Sequence, residues 1–472
     1  MYKYLLCWRY LRTRYIALAS IVSVMLGVAT MIVVNAVMAG FSDTMRQRLH
    51  GVLADIVVES YDLDGFYDSE EVIARIQDVA AADIVAMAPT METFGLLRIE
   101  IGGRSTTRQV KIIGVRPDER ARTGDFAEFL IGQGKDATGK PEPILPSFEV
   151  PESYRLNTPL GRLMRESDPD DVFAKVVRED ARELVPDRGI ILGYALATIH
   201  KPGTNEDLFI APQGAKVTLG FLKGGRKPEP SADSFTTVGY FKSGMSEYDS
   251  SYVYVPLERL QEVRALGDGK GSGAVNQIQI KLREGADLDK VAMKLQDALE
   301  PIRPAYFRVS TWEQMQGPLL AAVSLEQGIL NLLLFLIIAV AGFGILAIFS
   351  MIVVEKTRDI GILKALGAST AGVRGIFLGY GFSLGVVGSG VGLAIGLAFV
   401  SRINEIEKTL SDLTGRKVFD DQIYYFDHIP TLVEFWTVAS IVLGAILIAV
   451  VASVWPAQRA SSLHPVRALR YE

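Results

Sequence analysis

The sequence contains very few of the residues that form disulfides and metal sites. Its 472 residues include one cysteine, Cys7, and four histidines. A single cysteine cannot form a disulfide within the chain, and so few side chains leave little choice of ligands for a Cys/His metal site. A His-Glu-x-x-His zinc motif is also missing. We therefore expect neither a disulfide framework nor a bound metal.

Signatures of nucleotide and nucleic-acid binding are missing as well. Residues 134–141 come nearest to a phosphate-binding loop, but Pro141 stands where that loop needs the hydroxyl that binds magnesium. The net charge is -5 and the sequence has no long run of lysine and arginine, so the composition does not point to nucleic acid. We expect no catalytic site, no cofactor and no nucleic-acid partner.

Long apolar runs are abundant. Four runs are nearly free of charge, and each covers the roughly 20 residues that a helix needs to cross a hydrocarbon core. A core helix of a soluble protein rarely stays apolar on every face for so long. The sequence therefore predicts an integral membrane α-helical protein with four transmembrane helices, at residues 15–39, 328–354, 376–400 and 435–454.

The positions of lysine and arginine predict which segments stay in the cytoplasm, because basic residues near helix ends are retained on that side. Basic residues flank the runs in the N-terminal segment 1–14, the connector 355–375 and the C-terminal tail 455–472. We therefore expect both termini in the cytoplasm, and residues 40–327 and 401–434 outside.

Residues 40–327 have the composition of a soluble protein and mix strand and helix patterns. We expect a large α/β (α+β) extracytoplasmic domain inserted between transmembrane helices 1 and 2. One lobe would comprise about 40–116 plus 274–327, and an inserted second lobe about 117–273. Strands are expected at residues 54–59, 95–115 (two strands), 215–221, 234–241, 251–255 and 277–282, and helices at 69–82, 288–299 and near 191–200.

Five glycines recur in the third apolar run at intervals of four, three, four and four residues. This spacing places them on one helical face, where small residues let helix backbones approach closely in lipid. The pattern leaves open whether this face packs within the subunit or against a partner permease. The glycines are Gly381, Gly385, Gly388, Gly392 and Gly396.

The connector between the second and third runs reads EKTRDIGILKALG at residues 355–367. On a helix, Ile360, Leu363 and either Leu366 or Gly367 would share one apolar face behind a charged start. Such a helix suits docking into a partner's groove, and it also suits an interfacial helix that lies on lipid. The candidate coupling residues are Glu355, Lys356, Arg358, Asp359, Ile360, Leu363, Lys364, Leu366 and Gly367.

This connector and the tail at residues 456–472 resemble those of the type VII ABC permeases, a family that includes MacB, FtsX and the lipoprotein-releasing (Lol) transmembrane subunits. The resemblance covers the whole predicted topology. It implies that the connector sits on a cytoplasmic ABC ATPase dimer, and that ATP and magnesium bind to that ATPase. It also implies pairing with a second permease, either a copy or a paralogue, and mechanical transmission to the outside domain.

Within this family, three segments are most similar to the lipoprotein-releasing branch: residues 2–14, 239–257 and 424–430. This resemblance implies a multi-pass protein of a bacterial inner membrane that handles lipoprotein cargo, with acyl chains entering between the first and second spans. It also makes a periplasmic carrier a candidate partner of residues 222–234. The middle segment contains a polar turn, which could equally be a structured connection, formed by Gly244, Met245, Glu247, Tyr248, Asp249 and Ser250.

Two other functions within the same family stay open. One is a MacB-like exporter of small molecules or peptides, and the other is an FtsX-like signalling subunit that controls cell-wall hydrolases. Segment 116–186 is longer and more charged than the family leads us to expect, which leaves the shape of the second lobe open.

Overall fold

A computed structural model describes most of the chain, and its residues fall into two compact units. Among the described residues, the membrane unit comprises 15–45, 319–414 and 428–464, and the inserted domain comprises the described part of 46–318. The predicted flank 1–14, residues 424–427, the end of the tail and much of segment 116–186 lie outside the described residues. Those described are 15–62, 64–101, 104–135, 141–156, 186–200, 207–225, 227–267, 273–300, 307–414 and 428–464.

Helices and strands follow one another in the order that the chain gives them. The helices are α1 (Tyr15–Val52), α2 (Ser69–Ala80), α3 (Pro117–Arg120), α4 (Glu152–Leu156), α5 (Tyr194–Ala197), α6 (Ser246–Asp249), α7 (Leu257–Val263), α8 (Leu288–Leu299), α9 (Trp312–Met315), α10 (Gly317–Glu355), α11 (Thr357–Ala365), α12 (Thr370–Ser401), α13 (Ile403–Thr414) and α14 (Phe435–Ser461). The strands are β1 (Ile56–Ser60), β2 (Ile84–Ile101), β3 (Arg104–Val115), β4 (Leu130–Lys135), β5 (Pro141–Pro143), β6 (Gly189–Gly193), β7 (Thr198–His200), β8 (Asp207–Phe209), β9 (Lys216–Leu222), β10 (Pro230–Phe241), β11 (Tyr252–Pro256), β12 (Gln277–Leu282) and β13 (Phe307–Thr311).

All four apolar runs lie in long helices. In the described part of the chain, α1, α10, α12 and α14 are long and apolar enough to cross a membrane, which confirms the predicted fold class. α1 and α10 have 38 and 39 residues. At 1.5 Å per residue each is about 57 to 59 Å long, whereas a hydrocarbon core is about 30 Å thick. Both helices therefore continue well beyond their apolar runs.

Most described strands of the inserted domain belong to one mixed sheet. Its order is β13-β1-β12-β2-β3-β11-β6-β10-β4-β5, and β9 pairs with both β10 and β2. The long strand β2 holds the sheet together, because its first residues pair with β12 and its later residues pair with β3 and β9. Residues of both predicted lobes, such as Ile56 and Leu219, contribute to one buried core. The part of the chain between α1 and α10 is therefore built on a single sheet.

One expected element is wrong. The predicted helix near 191–200 is instead the strand β6, the short helix α5 and the strand β7. β6 is buried along its whole length and lies between β10 and β11. A strand buried on both faces reads as a continuous apolar run, and so its sequence carries no period that separates it from a buried helix.

The five glycines of α12 lie against two neighbouring helices of the membrane unit. Gly381 and Gly385 face α14, where added Cβ atoms would lie 2.5 Å from Ser453 Oγ and 3.1 Å from Ala449 Cβ. Gly388, Gly392 and Gly396 face α1. The structure thus places all five glycines at helix contacts within the chain. Because glycine has no side chain, it lets helix backbones approach closely in lipid.

Gly392 and Gly390 provide a matched pair for testing this packing. A Cβ on Gly392 would lie 2.7 Å from Met25 O, whereas no described atom lies within 4 Å of the equivalent position on Gly390. Overpacking of this kind costs about 1 to 3 kcal/mol. We expect Gly392→Ala to lower the thermal unfolding midpoint of the detergent-solubilised protein, and Gly390→Ala to leave it unchanged or raise it. Equal midpoints for the two variants would contradict the packing.

Candidate functional site

The connector forms the short helix α11, which follows α10 with only Lys356 between them. The Thr357 hydroxyl donates a hydrogen bond of 3.0 Å to Val353 O, on the last turns of α10. Lys356 Nζ lies 2.6 Å from Asp359 Oδ2, a pair three residues apart that supports the first turn. The start of α11 is therefore fixed to the end of a membrane-spanning helix.

The two faces of α11 differ from the expected pattern. Thr357, Ile360 and Gly361 are buried against the membrane unit, and Leu363 is half-buried. Either Leu366 or Gly367 was expected to share the apolar face of Ile360, but both are exposed, Leu366 to 80%. The reason is the helical period of 3.6, since Leu366 lies six residues after Ile360 and so turns away from it.

α11 also has an outward face that was not predicted from the sequence. Arg358, Ile362 and Leu366 are exposed and recur at intervals of four, which places them in one row along the helix. Ile362 was missed because it stands outside the apolar face that was assigned to Ile360 and Leu363. A basic residue followed by two exposed apolar residues forms a surface suited to a partner protein.

A tightly bonded turn joins α11 to α12. Gly367 has a φ of 94°, and the amides of Gly367 and Ala368 donate to the carbonyls of Lys364 and Leu363. This is a Schellman helix end, which requires the left-handed conformation that glycine adopts freely. Two residues later, Ser369 Oγ accepts a hydrogen bond from Gly372 N at 3.1 Å and caps α12. The corner between the two helices is therefore well defined.

Lys364 links α11 to the end of the last membrane-spanning helix. Its Nζ donates to Ser461 O at 2.8 Å and to Leu463 O at 2.7 Å. A lysine at this position satisfies carbonyls that the helix itself leaves without partners, and its charge complements the helix dipole. Lys364 is therefore an internal brace of the connector, and α11 is attached to α10, α12 and α14.

The polar turn of the inserted domain, residues 243–250, is built around a buried carboxylate. We call it the Gly244 turn. Asp249 is fully buried and accepts hydrogen bonds from Ser243 N and Ser243 Oγ, both at 2.8 Å, and from Gly244 N at 3.2 Å. Burial raises the pKa of Asp249 to about 6 although these donors oppose the shift. Of the other predicted residues, Tyr248 is buried, Met245 is half-buried and Glu247 is exposed.

The last turns of α1 contact three other parts of the inserted domain. Arg48 Nη1 donates to Gly244 O at 2.6 Å, and Arg120 Nη2 donates to Val52 O at 2.5 Å. His50 Nε2 lies 2.5 Å from Asp55 Oδ1. Burial raises the pKa of Asp55, but hydrogen bonds from His50, Leu282 and Lys281 outweigh it, and the net pKa is lowered. No sequence motif marked Arg48 or Arg120, because their partners Gly244 and Val52 lie far away along the chain.

The entrance to α10 contacts the same region. Gln316, the residue before α10, donates from Nε2 to the hydroxyl of Tyr248 at 3.1 Å. Trp312 N donates to Asp55 O at 3.1 Å, and the Trp312 ring lies 5.2 Å from that of His50. The Gly244 turn thus contacts both the end of α1 and the start of α10.

The buried Asp249 gives a testable pH dependence. Because its pKa rises from 3.8 to about 6 on folding, its contribution to stability is complete below pH 3.8 and is lost as the pH rises through about 6. The Asp249→Asn variant has no such titration, whatever its constant offset in stability. We expect the unfolding midpoint of the natural protein to fall relative to that of Asp249→Asn between pH 4 and about pH 6.

The measurement is thermal unfolding of both proteins in the same detergent across that range. Each unit of pKa shift corresponds to about 1.4 kcal/mol, so the relative change is of order 1 to 3 kcal/mol. A difference that stays constant with pH would contradict the raised pKa.

Two family models match the chain. The model described as MacB-like periplasmic core domain matches residues 17–298, and the model described as FtsX-like permease C-terminal matches residues 331–465. The first covers more than half of the chain by itself. Its match spans most of α1 and the inserted domain, and the second match includes α11, α12 and α14.

Two curated relatives match over nearly the full length of the chain, and a third matches over about half of it. The lipoprotein-releasing system transmembrane protein LolC of Xylella fastidiosa (strain 9a5c) is 26% identical over 473 residues, which cover 98% of this chain and 97% of the relative. The protein of the same name from Neisseria meningitidis serogroup B is 27% identical over 476 residues, with 98% of each covered. An uncharacterized ABC transporter permease of Methanocaldococcus jannaschii is 25% identical over 243 residues, 50% of this chain and 55% of the relative.

Proposed function

Because the chain belongs to the family of ABC permeases that combine a MacB-like periplasmic core domain with an FtsX-like permease region, we propose that it releases lipoproteins from a bacterial inner membrane. The observation that supports this cargo is the match to two lipoprotein-releasing transmembrane proteins over 98% of the chain. In this proposal the chain is a non-catalytic subunit with both termini in the cytoplasm. A separate ABC ATPase dimer binds ATP and magnesium.

The outward face of α11 is the surface on which this ATPase would dock. Its row of Arg358, Ile362 and Leu366 projects from a helix that is held by α10, by the Gly367 corner and by Lys364. Docking of a partner on a braced helix moves the attached helices with it, whereas a loosely attached helix would absorb the motion. This geometry favours ATPase docking over an interfacial helix on lipid, because Asp359 and Arg358 are exposed beside the two apolar residues.

Exposed apolar side chains on α10 support the proposal of a second permease subunit and of an acyl-chain entry. The apolar side chains of α10 between residues 325 and 343 are exposed on several faces, among them Leu332 at 59% and Phe343 at 69%. α1 lies beside it, with Gln327 Nε2 donating to Met38 O at 3.4 Å. Lipid tails, acyl chains of cargo or a facing permease helix would each cover such a surface. A periplasmic carrier would then receive the cargo, with residues 222–234 as its candidate contact.

Docking on α11 can be tested with one substitution and a matched control. Leu366→Asp places a charge on the outward face, and because Leu366 is 80% exposed the fold has little to lose. Desolvating that charge at an interface costs several-fold to hundred-fold in affinity, about 1 to 3 kcal/mol. We expect weaker co-purification of the ATPase and less ATP hydrolysis by the complex. Leu145→Asp, at a site 84% exposed in the inserted domain, should change neither quantity.

The cargo is tested by reconstituting the permease and its ATPase in liposomes that contain a fluorescent lipoprotein. The expected result is ATP-dependent transfer of the lipoprotein to a soluble carrier. Hydrolysis of ATP without transfer, together with efflux of a small molecule or peptide, would instead identify a MacB-like exporter. Co-purification with a cell-wall hydrolase and no transport would identify an FtsX-like signalling subunit.

A further inference from the structure

Two continuous helices carry the chain into and out of the inserted domain. α1 contributes residues 15–45 to the membrane unit and its last turns to the inserted domain, and α10 starts directly after Gln316 and continues into the membrane unit. A helix of this kind transmits a push or a rotation over its whole length, provided that its far end is fixed. The attachment of these two helix ends therefore determines how much of that motion reaches the inserted domain.

We propose that the Gly244 turn is the joint that fastens both helix ends to the sheet, so that its residues determine how much of the ATPase cycle reaches the inserted domain. This role rests on the proposed function, since it presumes a partner ATPase that drives the helices. It assigns a positioning function to Arg48, Gly244, Tyr248 and Gln316.

The contact with α1 depends on glycine at position 244. Gly244 has a φ of 74°, and a Cβ at this position would overlap the Arg48 guanidinium. Glycine is therefore needed both for the backbone conformation and for the close approach of the arginine. The hydrogen bond from Arg48 to Gly244 O has a charged donor, which makes it stronger than a neutral one.

The contact with α10 passes through Tyr248 into the middle of the sheet. Tyr248 is 4% exposed and accepts from Gln316, and its ring lies 4.9 Å from that of Tyr252. Tyr252 begins β11, which pairs with β3 on one side and with β6 on the other. Motion of either helix end thus reaches a central strand through one short turn.

Asp249 makes this turn stiff enough to serve as a joint. Its carboxylate is fully buried and accepts hydrogen bonds from three donors on Ser243 and Gly244. Gly244 is also the residue whose carbonyl contacts Arg48. Ser250 N and Ser251 N also bond back to Ser246 O and Tyr248 O within the turn. Hydrogen bonds thus join this stiff turn to two separate helix ends.

The test uses the full permease with its ATPase dimer in nanodiscs and liposomes. Arg48→Met and Tyr248→Phe remove the two hydrogen bonds while keeping most of the side-chain volume, and Arg48→Lys retains a donor. Arg283→Met and Tyr61→Phe alter exposed residues of the same types in the same domain and serve as controls. The readouts are ATP hydrolysis, lipoprotein released per ATP, and the amide hydrogen exchange of β11 with and without nucleotide trapped by vanadate.

In the double variant of Arg48→Met and Tyr248→Phe we expect ATP hydrolysis to persist while release per ATP falls at least about tenfold, the effect expected from losing the charged hydrogen bond of Arg48 alone. The nucleotide-dependent change in β11 exchange should be lost as well. Arg48→Lys should recover part of both effects, and the two controls should match the natural protein.

Release per ATP equal to that of the natural protein in the double variant would overturn the joint. So would a parallel loss of thermal stability and ATP hydrolysis at constant release per ATP, which is the result expected of a merely structural turn. If the natural complex releases no lipoprotein, the proposed cargo fails, but the exchange of β11 still tests the joint by itself.

Discussion

The structure depends on the fact that hydrocarbon offers no hydrogen-bonding partner to a peptide group. A chain can cross the membrane only where its backbone bonds are satisfied internally, and here that means helices. The inserted domain is therefore connected along the chain to the membrane unit through α1 and α10, both of which are far longer than a bilayer requires. Within the described residues, the chain passes from one unit to the other along these two helices, which can carry a mechanical signal between the units.

Two groups of hydrogen bonds fix the ends of helices in this structure. In the membrane unit, the Gly367 corner and the lysine at 364 attach α11 to three longer helices. In the inserted domain, Asp249 organises a turn that reaches the end of α1 and the start of α10. Both sites use buried or capping polar bonds, which specify geometry more sharply than apolar contacts do.

Close packing of the membrane helices follows a different principle. Apolar burial provides no drive for association inside lipid, and backbone proximity has to supply dispersion contacts instead. The glycine stripe of α12 achieves this on two sides, against α14 near Gly381 and against α1 near Gly392. α10 takes little part in this packing over its first half, where many of its apolar side chains are exposed.

Sequence alone determined the features that depend on local composition. Four apolar runs were enough to predict the membrane helices, because insertion into a bilayer depends on the hydropathy of a single segment. Alternating patterns predicted most strands of the inserted domain. The glycine period identified one face of α12, but only the structure showed which helices cover it. The strand β6 was read as a helix, since burial on both faces removes the alternation on which such a reading relies.

Tertiary structure decided which side chains of the identified motifs face outward and which brace the fold. Sequence placed either Leu366 or Gly367 with Ile360, yet the structure buries Ile360 and exposes the other two, and Lys364 bonds within the fold. It also brought Arg48 to Gly244, which stand 196 positions apart in the chain. Hydropathy is a property of each segment, whereas the partners of a hydrogen bond are brought together only by folding, and only the structure could therefore reveal this contact.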